Sequence, residues 1–364
     1  LSRAVASGVP QTSGDLRRPI GGPNQPGVQG RDREVKAMSK ILDTVLLLAL
    51  PASGKSEVRK YLASLSPEKA GNDFHMGPTV QLDDFPYVHM MRRIDDELKK
   101  LGKNRIFFHS PERPFINPGD WGTLIHLVNE DYQDMTAKRR ETPDSAAQLL
   151  MERLEKAALK AGEKARIASL DPAIRETVAK AVEKEASDLL KEKHGNYPDT
   201  LEKKTLVIEF ARGGPDGSSM PLPAPLGYRH SVGLLSDDIL KKAVILYVWV
   251  TPEESRRKNT ARANPDDPGS ILHHGVPMEV MLKDYGCDDM DWLEANARVR
   301  GTIPVTSGTG REYNIPIARF DNRVDKTSFI REDIKSWKKA DVEAVHNSLK
   351  SALDKLAEFS VSKV

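Results

Sequence analysis

Gly54, Lys55 and Ser56 stand where an apolar run gives way to a helical pattern. The stretch Thr44–Ser56, TVLLLALPASGKS, reads as a strand over Val45–Leu50, then a tight loop, then a helix with Val58, Leu62 and Leu65 on one face. The spacing is that of a phosphate-binding loop, G-x-x-x-x-G-K-[ST], with Ala49 in place of the first glycine. N–H groups of such a loop and of the helix start converge on an anion, and the helix dipole adds to the attraction. Pro51, Ala52, Ser53, Gly54, Lys55, Ser56 and Glu57 are therefore the candidate nucleotide-binding residues. Gly54 lets the main chain approach phosphates with no Cβ between. Lys55 would reach the β- and γ-phosphates of ATP, and the Ser56 hydroxyl would ligate Mg²⁺. Ala49 fits only with a negative φ. An ordinary strand–turn–helix with a chance GKS is disfavoured by the strand before the motif and the amphipathic helix after it.

Three further groups carry chemistry. A short strand, Thr79–Leu82, delivers Asp83 and Asp84 at its carboxyl end, where open α/β sheets place their reacting groups. One acid of this pair is expected to cap the following helix. The other is expected to work, as a general base on an acceptor hydroxyl or as a Mg²⁺ ligand through water. The buried-strand pattern Thr205–Phe210 carries Glu209 near its end, a position suited to holding Mg²⁺ or to a salt bridge with Arg212. After the apolar run Ala243–Val250, a helix capped at Thr251 carries Arg256, Arg257, Lys258 and Arg262. His273 and His274 are adjacent, which does not aim two rings at one metal, and no His/Cys spacing suggests zinc.

The order strand–LPASGKS–helix, then strand–DDF–helix, resembles the adenylate-kinase-like branch of P-loop phosphotransferases. QLDDFPY resembles the DDFY segment of uridine and nicotinamide-riboside kinases, in which an aspartate faces the acceptor hydroxyl; the matching residue is Asp84. The two motifs cover about fifty residues. The resemblance implies a kinase that moves the γ-phosphate of ATP to a hydroxyl or phosphate of a nucleoside- or nucleotide-like small molecule. It also implies that Arg256 and Arg262 belong to a lid whose arginines neutralise the transferring group. Arg113 and Trp121 would line the acceptor pocket, and Asn322, after the last strand, would lie against the base. The expected fold is α/β, a parallel five-stranded P-loop sheet covered by helices.

The remaining chain frames these motifs. Its 55 Lys+Arg nearly balance 53 Asp+Glu, so no global basic field argues for nucleic acid. No apolar run reaches the roughly 18 residues of a membrane span. One cysteine, Cys287, rules out an internal disulfide framework and suits a reducing, cytoplasmic setting. Residues 1–37, rich in Gly, Pro, Gln and Arg, read as a disordered extension. Residues 38–136 and 204–364 read as the two parts of the core, the second with the lid. Residues 137–203, dominated by Ala, Glu, Lys and Leu, read as an inserted hairpin of helices over about 143–168 and 172–194, packed on itself. The hairpin is read either as a lid or a docking surface for a protein partner or self-association, or as a solvated structural insertion. It also gives the rival reading, an ATP-dependent regulatory switch acting on a partner.

Overall fold

Alternating side chains along the central strands cover both faces of one sheet, and this alternation builds the layers. The computed structural model describes residues 41–262 and 275–361. The 1–37 extension and His273–His274 lie outside the described residues. Strands β1 (Thr44–Leu48), β2 (Thr79–Asp83), β3 (Thr205–Phe210), β4 (Ala243–Trp249), β5 (Thr302–Thr306) and β6 (Glu312–Asp321) form the sheet. The helices are α1 (Lys55–Ala63), α2 (Pro67–Phe74), α3 (Phe85–Lys100), α4 (Asp120–Thr136), α5 (Ala146–Lys160), α6 (Pro172–Gly195), α7 (Gly227–Gly233), α8 (Asp237–Leu240), α9 (Pro252–Arg262), α10 (Met278–Lys283), α11 (Met290–Ala295) and α12 (Lys339–Val361). None of the described helices is long and apolar enough to cross a membrane.

The strand order is β2-β3-β1-β4-β6-β5, with β1 paired in parallel to both β3 and β4. Val45, Leu47, Val207, Leu246 and Phe320 turn to one face, under α1, α2 and α12. Leu46, Leu48, Ile208, Ile245 and Ile317 turn to the other, under α4, α7, α8 and α11. This period of two, buried on both faces, is what a parallel sheet in a three-layer arrangement requires.

The sheet is nevertheless mixed, not the all-parallel five-stranded sheet expected. β5 is a sixth strand, antiparallel to β6 in the register Thr302↔Pro316 to Thr306↔Glu312. Pro304 hid it: a proline cannot donate to a ladder, and only an edge strand tolerates one. β6 accordingly starts earlier than the apolar run Ile315–Phe320, because its first half pairs with β5.

The inserted helices keep their expected ends in part. Asp171 caps α6, accepting from the Ala173 N–H at 2.8 Å, with Pro172 in the first turn. α5 is shorter than expected. Ser145 caps it, and the chain turns away after it at Gly162 (φ 83°). The hairpin also packs on more than itself. Leu150, Leu154, Val178 and Val182 share one core with Met91, Ile94 and Leu98 of α3 and Leu124 of α4.

A buried ionic network rivets this four-helix layer. Asp131 accepts from Tyr87 Oη at 2.6 Å and from Arg153 Nη2 at 2.7 Å, and Lys193 Nζ lies 2.9 Å from it. Lys193 also reaches Asp134 at 2.6 Å. Desolvated charges tolerate removal of a partner badly. Arg153→Met leaves Asp131 with reduced compensation and should cost about 3 kcal/mol in urea unfolding, whereas exposed Lys184→Met should cost less than about 0.5 kcal/mol.

Candidate functional site

The turn after β1 is left-handed where the motif requires it. Ala52 has φ 57° and Gly54 φ 107°, while Ala49 stays outside the positive-φ region, as its side chain demands. The loop is clamped from behind. Ser53 Oγ donates to the Leu50 carbonyl at 2.5 Å, Ser255 Oγ to the Pro51 carbonyl at 2.7 Å, and Asn322 Nδ2 to the Ser53 carbonyl at 2.7 Å. A Cβ on Gly54 would come within 2.5 Å of Thr327 Oγ1 and 2.9 Å of Asn322 Nδ2. The glycine thus serves the packing behind the loop as well as the left-handed turn. Lys55 Nζ lies 3.4 Å from the Ala49 carbonyl, folded back across the loop. The Glu57 carboxylate is buried and taken up by Arg331 at 2.6 Å.

In front of the loop, at the carboxyl ends of β1, β2 and β3, lies a cleft of about 390 Å³. Lys55, Ser56, Asp83, Asp84 and Glu209 all line it, so the structure brings these sequence candidates together. Asp83 and Glu209 are register partners on adjacent parallel strands. Burial and the neighbouring Glu209 and Asp84 carboxylates push the Asp83 carboxyl up to about 7. Asp83 Oδ1 accepts from the Phe85 N–H at 2.8 Å, the first N–H of α3, while Asp84 stands at the N-cap position and makes no side-chain cap bond, so neither acid is the conventional cap expected.

Asp84 is paired instead. Its Oδ2 accepts from Arg212 Nη1 at 2.7 Å, and Arg212 is only 1% exposed. Arg212 is therefore the partner of Asp84, not of Glu209 as the sequence suggested. Glu209 Oε2 lies 3.0 Å from Arg59 Nε but off the hydrogen-bond direction, and it is buried with no hydrogen-bond partner. An orphaned carboxylate oxygen beside a second carboxyl is the kind of donor set a hard cation completes. Ser56, Asp83 and Glu209 fit Mg²⁺ on that ground.

The other expected residues lie elsewhere. Asn322 is fully buried beneath the loop, its amide committed to Ser53 and Thr327, so it positions the loop instead of facing a base. Arg256 is outside the cleft lining, with Nη2 on Glu253 at 3.2 Å and Nη1 buried without a partner. The Arg262 side chain lies outside what is described. Arg113 pairs with Glu279 at 3.2 Å, away from the cleft lining, whereas Trp121 lines it.

The cleft also holds residues the sequence did not single out: Arg59, Arg92, Asp284 and Tyr285. Arg59 follows Lys55 by four and shares its helix face, a readable signal. Asp284 and Tyr285 arrive only through packing. A Cβ on Gly213 would meet the Cys287 carbonyl at 2.4 Å and the Asp284 carbonyl at 2.8 Å. That glycine admits another stretch of main chain. Burial pushes the Asp284 carboxyl up to about 7 against the pull of Arg92 and Lys283.

No protein-family model matches this chain, and no curated protein matches it.

Two outcomes follow from the geometry. Gly54→Ala forces a side chain into an αL backbone and into Thr327; it should lower stability by about 2 kcal/mol, read by thermal melts. Asp83 has its pKa raised on folding, so its contribution is fully present below about pH 4 and is lost as pH rises through about 7. Asp83→Asn should thus stabilise the ligand-free protein at pH 8 by about 1–2 kcal/mol and leave it unchanged at pH 4. The gain is set below the full shift because part of the Asp83 side chain still meets solvent, which screens the penalty.

Proposed function

We propose that the chain is an ATP-dependent phosphotransferase of the P-loop kinase type, acting on a small-molecule acceptor. The observation that carries this reading is the convergence of the clamped GKS loop, the orphaned Glu209 oxygen and the Asp84 carboxylate on one cleft. The five mutually parallel strands, with the loop after the central β1, support the finer reading of a P-loop core.

Main-chain N–H groups of the loop and α1 would cradle the β- and γ-phosphates, with Lys55 between them. Ser56, Asp83 and Glu209 would hold Mg²⁺, which supplies charge neutralisation on the phosphates. Asp84 would align the acceptor hydroxyl. Arg212 fixes its Oδ2, and Oδ1 has no hydrogen-bond partner among the described residues. Phosphoryl transfer asks chiefly for such positioning and for fixed cations about the equatorial oxygens. Within the described cleft, Lys55 and Arg59 are the cations nearest that task. Arg256 and Arg262 would contribute only by entering the cleft from α9.

A second reading, a nucleotide-dependent switch, rests on one contact. α6 packs along α3, whose first turn follows Asp84, so the hairpin is coupled to the site through a rigid helix. ADP formation from Mg-ATP with an acceptor panel separates the two. The kinase requires Lys55→Ala to lower kcat/KM on the order of a hundredfold, and Asp84→Asn to lose turnover while ATP still binds. Turnover unmoved by every acceptor and by Asp84→Asn would leave the switch.

A further inference from the structure

The half of the cleft away from the phosphate loop is built unlike a site for a second phosphate. Its walls are Phe85, Phe108, Phe115, Trp121, Val280 and Tyr285. Phe108 stacks on Phe115 with centroids 4.3 Å apart. Trp121 meets Phe115 edge-on at 4.9 Å and Tyr285 at 5.6 Å. Phe85, 39% exposed, offers a ring at the mouth. The charged lining residues beside these rings are Asp84, next to Phe85, together with Arg92 and Asp284. Arg92 Nη1 donates to the Pro111 carbonyl at 2.6 Å, and its guanidinium lies 3.9 Å over the Phe108 ring. Asp284 is nine-tenths buried, and its carboxyl has no hydrogen bond or ion pair among the described residues.

A phosphate-bearing acceptor brings about two negative charges into a site of low polarity. Its desolvation must be offset by several charge-assisted donors. Here it would meet one arginine, already partly committed, beside a carboxyl that no ion pair neutralises. An uncharged ring meets the opposite situation: aromatic faces and edges to bury it, one guanidinium to donate to its polar edge and one carboxyl to accept from it.

We propose that this half of the cleft is the acceptor subsite and that it takes an uncharged, ring-bearing alcohol carrying a hydrogen-bond donor on its far edge, to the exclusion of phosphorylated acceptors. The inference rests on the phosphotransferase reading. The acceptor oxygen bonds to the γ-phosphorus as the bond from that phosphorus to the bridging oxygen breaks. ADP leaves with the electron pair, the hydroxyl proton passes through Asp84 to water, and the product is a phosphate monoester.

The test uses the full chain with Mg-ATP. Nucleosides and phenyl-substituted alcohols are set against the monophosphates of the same compounds, and ATP binding is titrated separately. A ring-bearing alcohol should raise ADP formation at least about tenfold over water, and its monophosphate should not. Asp284→Asn should raise KM for that alcohol about tenfold, with kcat and the KM for ATP within about twofold. Phe85→Ala, a change at an exposed position that leaves folding intact, should also raise the acceptor KM. A monophosphate that is the better acceptor overturns the subsite and leaves the kinase standing. So does an acceptor KM indifferent to both substitutions. A chain that binds no ATP overturns the kinase reading itself, and the subsite with it.

Discussion

The site hangs on one buried ion pair. Arg212 is among the largest fully buried side chains, and it reaches four parts of the chain at once. It donates to Asp84 before α3, to the Trp121 carbonyl in α4, to Ser231 Oγ in α7 and to its own neighbour's carbonyl at Ala211. The Trp121 and Phe210 rings lie against its guanidinium at 4.8 and 5.1 Å. A desolvated guanidinium is costly unless its donors are filled, and here Asp84 supplies the compensating charge. The arrangement works in both directions. The arginine is tolerable because Asp84 is there, and Asp84 is held in one orientation because the arginine cannot move without stranding its other partners.

This rigidity explains the extra helices better than a free arm would. α3 begins directly after Asp84, and a single long helix on a sheet edge is braced only by what packs on it. α6 lies along it, with Arg93 and His89 both on Glu185, and the Asp131 network locks α5 and α6 to α3 and α4. The insertion therefore belongs to the layer that fixes where the acid stands. Its polar outer faces, with i,i+4 pairs such as Lys184–Asp188, cost the solvated surface little and add little.

What could be read from the sequence divides along the same physical lines. The loop, the acids at strand ends and the α6 cap were legible because each is local: a few neighbouring residues dictate the geometry. β5 was not, because Pro304 argues against a strand until the antiparallel partner makes it an edge. The pairing of Arg212 with Asp84 was not, because it spans the distance from β2 to β3 and two acids competed for one cation. Asn322 was read as a ligand contact because the resembled fold sets the loop after its last strand against the base; the packed structure turns its amide inward to the Ser53 carbonyl. Asp284 had no local signature at all. It enters the cleft because Gly213 lets the 284–287 segment press against the exit of β3.

The distribution of charge in the cleft then distinguishes structure from chemistry. Glu57 is satisfied by Arg331 and holds the protein together, whereas Arg212 fixes only one oxygen of Asp84 and leaves the other to the cleft. Two others are left incomplete by the protein itself. Glu209 keeps an orphaned oxygen beside Asp83 at the loop end, and Asp284 keeps an unpaired carboxyl among aromatic rings at the far end. Folding gains nothing from ionising Asp83 or Asp284, since burial pushes both carboxyls up. A fold that tolerates such a cost at both ends of one cavity has a reason outside its own stability. On the phosphotransferase reading proposed above, the loop end would take cations and phosphates and the far end a ring with a donor, and a ligand pair spanning the cleft would complete both at once.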